Sequence, residues 1–277
     1  MSEQDYIPGT CVIKNLIRRT ESSPYGSPDP RVLAEAENFY VSTRIAELRT
    51  APIAGTFTFG HMRAIHKHLF QDVYAWAGEP RNVPMTKQDT AYASPTEMPA
   101  LLREQYTRLA AEHRLRGIND RAEFTRKLAG YWGEINHGHA FREGNTRTQT
   151  VFFEQLAEHA GWKLDVARLS PHHAESVYQD FVDARFEHQR VRGTGTLSAQ
   201  EAASELANVL GQLIEPDPSA ECCRRRGVPL TEPTSQATAT VARLRARSPE
   251  LRNMKLDPYG LDEEPEQDTS TESGFQP

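Results

Sequence analysis

Apolar positions recur with a helical period through most of the first 190 residues. Over 31–49, Val32, Ala36, Phe39 and Tyr40 are spaced to bury one side of a helix, and over 58–74 Met62, Ile65, Leu69 and Val73 do the same. Gly78, Pro84 and Pro95 interrupt helical continuity, so the polar run 81–93 (RNVPMTKQDTAYA) is expected to be an extended segment or a short hairpin. Helices are expected again over 96–116 and 120–137. The second of these carries Phe124, Leu128, Tyr131, Trp132 and Ile135, a stripe wide enough for a central helix. After a break at 137–144 another helix runs to about His159, and 170–190 supplies one more. The pattern predicts an all-α fold without internal repeats.

Past residue 192 the pattern changes, and the boundary is placed at Gly193-Thr194-Gly195. Residues 198–214 (SAQEAASELANVLGQLI) read as one amphipathic helix, with Ser198 as N-cap, Glu201 as its capping-box partner and Leu206, Val209, Leu210 and Leu213 on a shared face. Such a face needs a surface, either the main domain or a partner. From 261 onward Asp262, Glu263, Glu264, Glu266, Asp268 and Glu272 occur with no basic residue, a composition that cannot offset its own ordering entropy. The expected organisation is an N-terminal extension (1–29), a main domain (30–192), a C-terminal helix (193–215) and a largely disordered acidic tail (216–277).

Composition narrows the function classes. The 277 residues carry 32 Lys+Arg against 38 Asp+Glu, a net charge of −6, which argues against a protein built to grip a nucleic-acid backbone. Three basic residues at Arg224-Arg225-Arg226 are too few to change that, and direct nucleic-acid binding is not expected. No apolar run resembles a signal peptide or a bilayer span, so no membrane partner is expected and a cytoplasmic location is. Cys11, Cys222 and Cys223 form neither a disulfide framework nor a C-x-x-C motif.

The densest chemistry lies at 137–148 (HGHAFREGNTRT), between two well-marked helices. A helix starting near Gly144 presents unpaired backbone N–H groups and the positive end of its dipole, a ready anion site. Arg147, one turn in, can offer a planar guanidinium to a phosphate there. Glu143 beside an anion site makes sense if a divalent cation lies between acid and phosphate, as Mg²⁺ does. His139 at the mouth is the natural general base, and Phe141 would point inward to anchor the loop. Anion cradle, arginine and acid together indicate a nucleotide di- or triphosphate with metal. A different reading makes His137, His139 and Glu143 ligands for a transition metal, although H-E-x-x-H is absent and Arg147 is then unexplained. His66, His68, His172 and His173 read as surface histidines of helices.

Residues 139–147 (HAFREGNTR) resemble the signature of Fic-domain proteins, H-P-F-x-[D/E]-G-N-G-R-x-x-R, and 53–82 is similar to the family's helix leading into its flap. The resemblance covers roughly 30–190. It implies a Fic-domain helical bundle with a short β-hairpin flap and a protein adenylyltransferase moving AMP from ATP to a Ser, Thr or Tyr hydroxyl of a target protein. Carried over, His139 would take the hydroxyl proton, Phe141 would anchor the loop and Glu143 would hold Mg²⁺. Gly144, Asn145 and Thr146 would line the nucleotide site, Arg147 would serve both nucleotide binding and catalysis, and Thr86, Lys87 and Gln88 would form the flap that aligns the target by strand addition.

Three positions depart from the signature: Ala140 for Pro, Thr146 for the second Gly, and Thr150 for the second Arg, the residue expected to grip the terminal phosphate. The last leaves open a transferase of another group, such as phosphate or UMP, or a catalytically weak nucleotide-binding module. Family members are also commonly silenced by a helix of pattern [S/T]-x-x-x-E-[G/N]. Glu37-Asn38 has Leu33 where that pattern needs Ser or Thr, so inhibition is expected from a separate antitoxin, as in toxin–antitoxin pairs. Family analogy makes a type II topoisomerase subunit one candidate target.

Overall fold

A computed structural model describes residues 5–87, 90–194 and 199–218. The tail expected beyond 218 and the proposed cap Ser198 lie outside these residues. Helix α1 (Pro30–Thr50) starts where the Asp29 carboxylate accepts the Arg31 N–H at 2.8 Å with Pro30 in the first turn, and α2 (Phe59–Phe70) starts where Thr58 Oγ1 accepts the His61 N–H. A two-residue antiparallel hairpin follows, β1 (Thr86–Lys87) with β2 (Thr90–Ala91), so the polar run does form a hairpin. Ser94 and Glu97 then build a reciprocal capping box ahead of α3 (Met98–Ala111). That helix is shorter than its expected 96–116, because the chain turns through positive φ at His113, Arg114 and Leu115.

At the centre lies α4 (Arg121–Gly138), capped by Asp120. Its Phe124, Leu128, Trp132 and Ile135 are wholly buried, and the Trp132 ring stacks on Phe153 at 4.5 Å and meets Phe181 edge-on. Those partners come from α5 (Asn145–Ala160) and α6 (Tyr178–Thr194), so one stripe of α4 fixes two neighbours at once. The remaining elements are β3 (Trp162–Leu164), α7 (Ala199–Ala202), α8 (Ser204–Gly211) and β4 (Ile214–Pro216).

Several expectations need correction. The single helix over 198–214 is two, broken at Ala203 and ended at Gly211, after which β4 pairs antiparallel with β3. Its apolar face nonetheless packs on α4 and α6, with Leu206 and Leu210 fully buried. Helix α6 ends at Thr194, within the Gly193-Thr194-Gly195 stretch where the sequence places the boundary. Upstream, the helix expected from 170 begins only at Tyr178, because Ser170, His173 and Ser176 divert nearby N–H groups into turns. His172 and His173 are exposed as expected, but in those turns.

The face of α1 is rotated from its reading. Phe39 is 67% exposed and Tyr40 38%, whereas Val41 and Leu48 are buried and Glu37, four residues before Val41, turns inward. An apolar side chain is free to stay outside, but a carboxylate that goes inside needs a partner. Glu37 finds two, as described next.

Candidate active site

The loop between α4 and α5 is held in an unusual backbone shape. His139 caps α4 in the left-handed region (φ 43°, ψ 58°), a conformation costing a non-glycine residue about 1–2 kcal/mol. Arg81 holds it there. Its guanidinium donates to the carbonyls of His139 at 2.7 Å, Gly138 at 3.2 Å, Val83 at 2.6 Å and Ala93. This side chain, from the polar run 81–93, is buried and rivets the hairpin to the loop.

On the far side of the loop, Phe141 is buried and stacks on the His66 ring at 3.9 Å. His66 accepts the Gly78 N–H on Nδ1 and donates from Nε2 to the Glu143 carbonyl at 3.0 Å. The expectation of a surface residue is wrong for His66, which is fully buried and whose pKa burial lowers to about 4. His68 is partly buried against Glu47. Asn145 closes the loop from within, accepting the Phe141 N–H on Oδ1 and returning its amide to the Phe141 carbonyl. Its side chain is thereby committed, leaving a ligand only its backbone.

Gly144 caps α5 at φ 79°, and the first bond into the helix runs from the Thr148 N–H to the Gly144 carbonyl. The N–H groups of Asn145, Thr146 and Arg147 therefore lack intrahelical acceptors at the positive end of the dipole. Glu143 is nearly half exposed beside them, with Oε1 accepting the Gly144 N–H and lying 3.6 Å from Arg147. Arg147 also pairs with Glu37 at 2.6 Å, and Glu37 takes a short bond from the Tyr74 hydroxyl. The Glu set aside because of Leu33 thus reaches the loop after all.

His139 itself is more than nine-tenths buried, under the Tyr92 ring at 3.7 Å. Burial first, then the Arg185 and Arg81 guanidinia, hold its pKa well below the ordinary histidine value, with the Asn136 backbone opposing. Arg185, from α6, donates to Thr146 Oγ1 at 3.0 Å and to Asn136 Oδ1. Thr150 turns its hydroxyl back to the Thr146 carbonyl. At the hairpin, Thr86 and Lys87 are exposed, and Gln88 lies outside the described residues.

The structure therefore brings His139, Phe141, Glu143, Gly144, Asn145, Thr146 and Arg147 into one loop and helix end. It does not assemble the transition-metal set: His137 Nδ1 meets Gln189 Oε1 at 2.7 Å, and among the described residues no cluster of three His, Cys, Asp or Glu side chains is placed to hold a metal. A single magnesium held by one carboxylate and phosphate oxygens does suit the donors present. Among the described residues one carboxylate oxygen of Glu143 has no protein partner at the anion end of α5.

Residues 56–157 match the model of the Fic/DOC family. The probable protein adenylyltransferase y4lH of Sinorhizobium fredii is 35% identical over 164 residues, covering 59% of this chain and 80% of that protein. The chain belongs to the Fic/DOC family. Its protein adenylyltransferase relative VbhT, from Bartonella schoenbuchensis, is 38% identical over 162 residues, which is 58% of this chain but 32% of VbhT. The Fic fold is shared with the N-terminal Fic domain of a cell filamentation protein from Bartonella quintana, at a TM-score of 0.65 and 24% identity over 80% of this chain and 99% of that one. BepC of Bartonella tribocorum gives a TM-score of 0.63 at 22% identity, covering 78% and 98%.

Sequence reading missed the residues that support the Fic loop: Arg81, His66, Tyr92, Glu37 and Arg185. Only Arg185 carried a usable signal, lying in helical phase with the apolar residues Phe181 and Ala184. Among the described residues no helix is long and apolar enough to cross a membrane.

Proposed function

We propose that this chain transfers AMP from ATP to a hydroxyl of a target protein. The observation that carries the reading is a buried imidazole held beside a helix end that gathers N–H groups without intrahelical acceptors, Arg147 and Glu143. The relatives' names support the same reading, as do the ADP bound by the Bartonella quintana domain and the AMPPNP bound by BepC.

His139, uncharged at neutral pH, removes the proton of the incoming Ser, Thr or Tyr hydroxyl. The oxygen then bonds to the α-phosphorus while the bond from that phosphorus to the bridging oxygen breaks, and pyrophosphate leaves. The N–H groups of 145–147 and the Arg147 guanidinium receive the phosphate charge. Glu143 would hold Mg²⁺, which neutralises phosphate charge when bound. Arg81 and His66 keep the loop from relaxing. The exposed backbone of Thr86 and Lys87 offers an edge to which the target segment adds as a strand.

A second reading, transfer of another group such as phosphate or UMP, is favoured by one feature: Thr150 offers no guanidinium and spends its hydroxyl on Thr146. Incubation with Mg²⁺, each nucleoside triphosphate and a bacterial lysate, with a type II topoisomerase subunit as the first purified acceptor, separates the two by the mass added to the modified protein. Wild type should label an acceptor with AMP and His139→Ala should not. Equal blank lanes for both proteins with every triphosphate would overturn the reading. A separate antitoxin, if present, should suppress labelling when co-purified.

A further inference from the structure

The charges around the loop are not balanced alike. Arg147 has Glu37 at 2.6 Å and Glu143 at 3.6 Å, and Arg142 has Asp5 at 2.8 Å. Among the described residues no acid pairs with Arg81, but it is spread over four backbone carbonyls. Arg185 is different. It is 8% exposed, no carboxylate of the described residues lies within ion-pair reach, and its Nε has no hydrogen-bond partner. Its two bonds go to neutral oxygens, Thr146 Oγ1 and Asn136 Oδ1, and it lies over the Phe181 ring. Burial lowers its pKa to about 10, with only the phenols of Tyr92 and Tyr178 acting against that.

A buried cation without an anion is costly, so its presence calls for an explanation, and a ligand anion would supply one. The position is informative. Thr146 is the second residue of α5, so Arg185 is fastened at the same helix end that presents the free N–H groups. Thr146 and Thr150, two of the departures from the Fic signature, also make sense together: one gives Arg185 its acceptor and the other leaves α5 without a second guanidinium. The Phe181 face and the Thr146 hydroxyl hold the guanidinium plane in place, a preorganisation that suits phosphate oxygens.

We propose that Arg185 is a phosphate-binding residue of this site, supplying from α6 the positive charge that Thr150 does not supply from α5. The inference rests on the reading that the loop binds a nucleoside polyphosphate. Tyr92 stacks on His139 at 3.7 Å, and its phenol lies near enough to Arg185 to interact with its charge.

Titration calorimetry of the full chain in Mg²⁺ with AMPPNP, AMP and adenosine tests it, on wild type, Arg185→Met and Arg185→Lys. A charge-assisted contact of about 1.5–3 kcal/mol corresponds to a loss of about 10- to 150-fold. Arg185→Met should lose that much AMPPNP affinity and leave adenosine binding within about twofold, with Arg185→Lys between wild type and Met. If Arg185→Met does not fold, Arg185→Lys carries the test, with an expected loss of about tenfold for AMPPNP and none for adenosine. Folded variants that bind AMPPNP as wild type does, or that lose adenosine equally, would overturn the proposal and make Arg185 a brace between α6 and the loop. A wild type that binds none of the three overturns the nucleotide reading itself, and this inference with it.

Discussion

Gly144 offers the sharpest test of how the loop is built. Its φ of +79° lies where a side chain is strained, and a Cβ there would sit 2.2 Å from Phe70 Cζ and 2.3 Å from Cε2. Phe70 cannot easily retreat: it is fully buried, His66 stacks on it at 4.7 Å, Tyr74 lies beyond, and the Arg147 guanidinium rests over it at 4.9 Å. The left-handed conformation should cost an alanine about 1–2 kcal/mol, and forcing a methyl against a packed ring about 1–3 kcal/mol more. Together these predict about 2–5 kcal/mol, or a melting temperature lower by roughly 4–20 °C at about 2–4 °C per kcal/mol. Gly117 is the control, because it has a similar φ of +84° but nothing within 4 Å of its would-be Cβ. Gly117→Ala should pay only the backbone cost, about 2–8 °C. Thermal and urea unfolding of the two variants, with Phe70→Leu added to Gly144→Ala to relieve the contact, isolates the ring clash as a coupling term. If Gly144→Ala melts no lower than Gly117→Ala, the close approach of helix end to Phe70 is wrong.

Two further outcomes follow from the same geometry. Because the folded-state pKa of His139 is depressed, its base form persists as pH falls, so the acid limb of the transfer rate should lie below the ordinary histidine value of 6.5; a limb at or above 6.5, measured on the single-turnover rate, contradicts the burial described for that ring. Arg81→Met strips the donor from four buried carbonyls at an expected cost of at least about 3 kcal/mol, and should depress turnover even at temperatures where circular dichroism reports a folded protein.

What the sequence revealed divides along the distance over which each interaction acts. The helices and the loop at 139–147 were legible because periodicity, caps and a contiguous run of chemistry are local. The hairpin was legible for the same reason, through Gly78, Pro84 and Pro95. The face of α1 was not, because Phe39 and Tyr40 pattern like core residues while the decisive contact, Glu37 with Arg147, joins positions 110 residues apart. His66 was misread on residue type and Arg81 was passed over: a basic or imidazole side chain usually stays wet, and only the fold supplies the carbonyls that allow each to be buried. The β3–β4 pair, three residues a strand, has too few positions to show alternation.

The segment recognised by kinship, 56–157, is narrower than the machine it names. Asp5, Glu37 and Arg185 all fall outside it, yet each reaches into the loop, by ion pairs to Arg142 and Arg147 or a hydrogen bond to Thr146. A cassette excised at those borders and grafted elsewhere would carry Arg142 without Asp5, Arg147 left with Glu143 alone, and a threonine stripped of its guanidinium. Drift in the flanks can therefore retune the chemistry while every letter of the signature stays fixed.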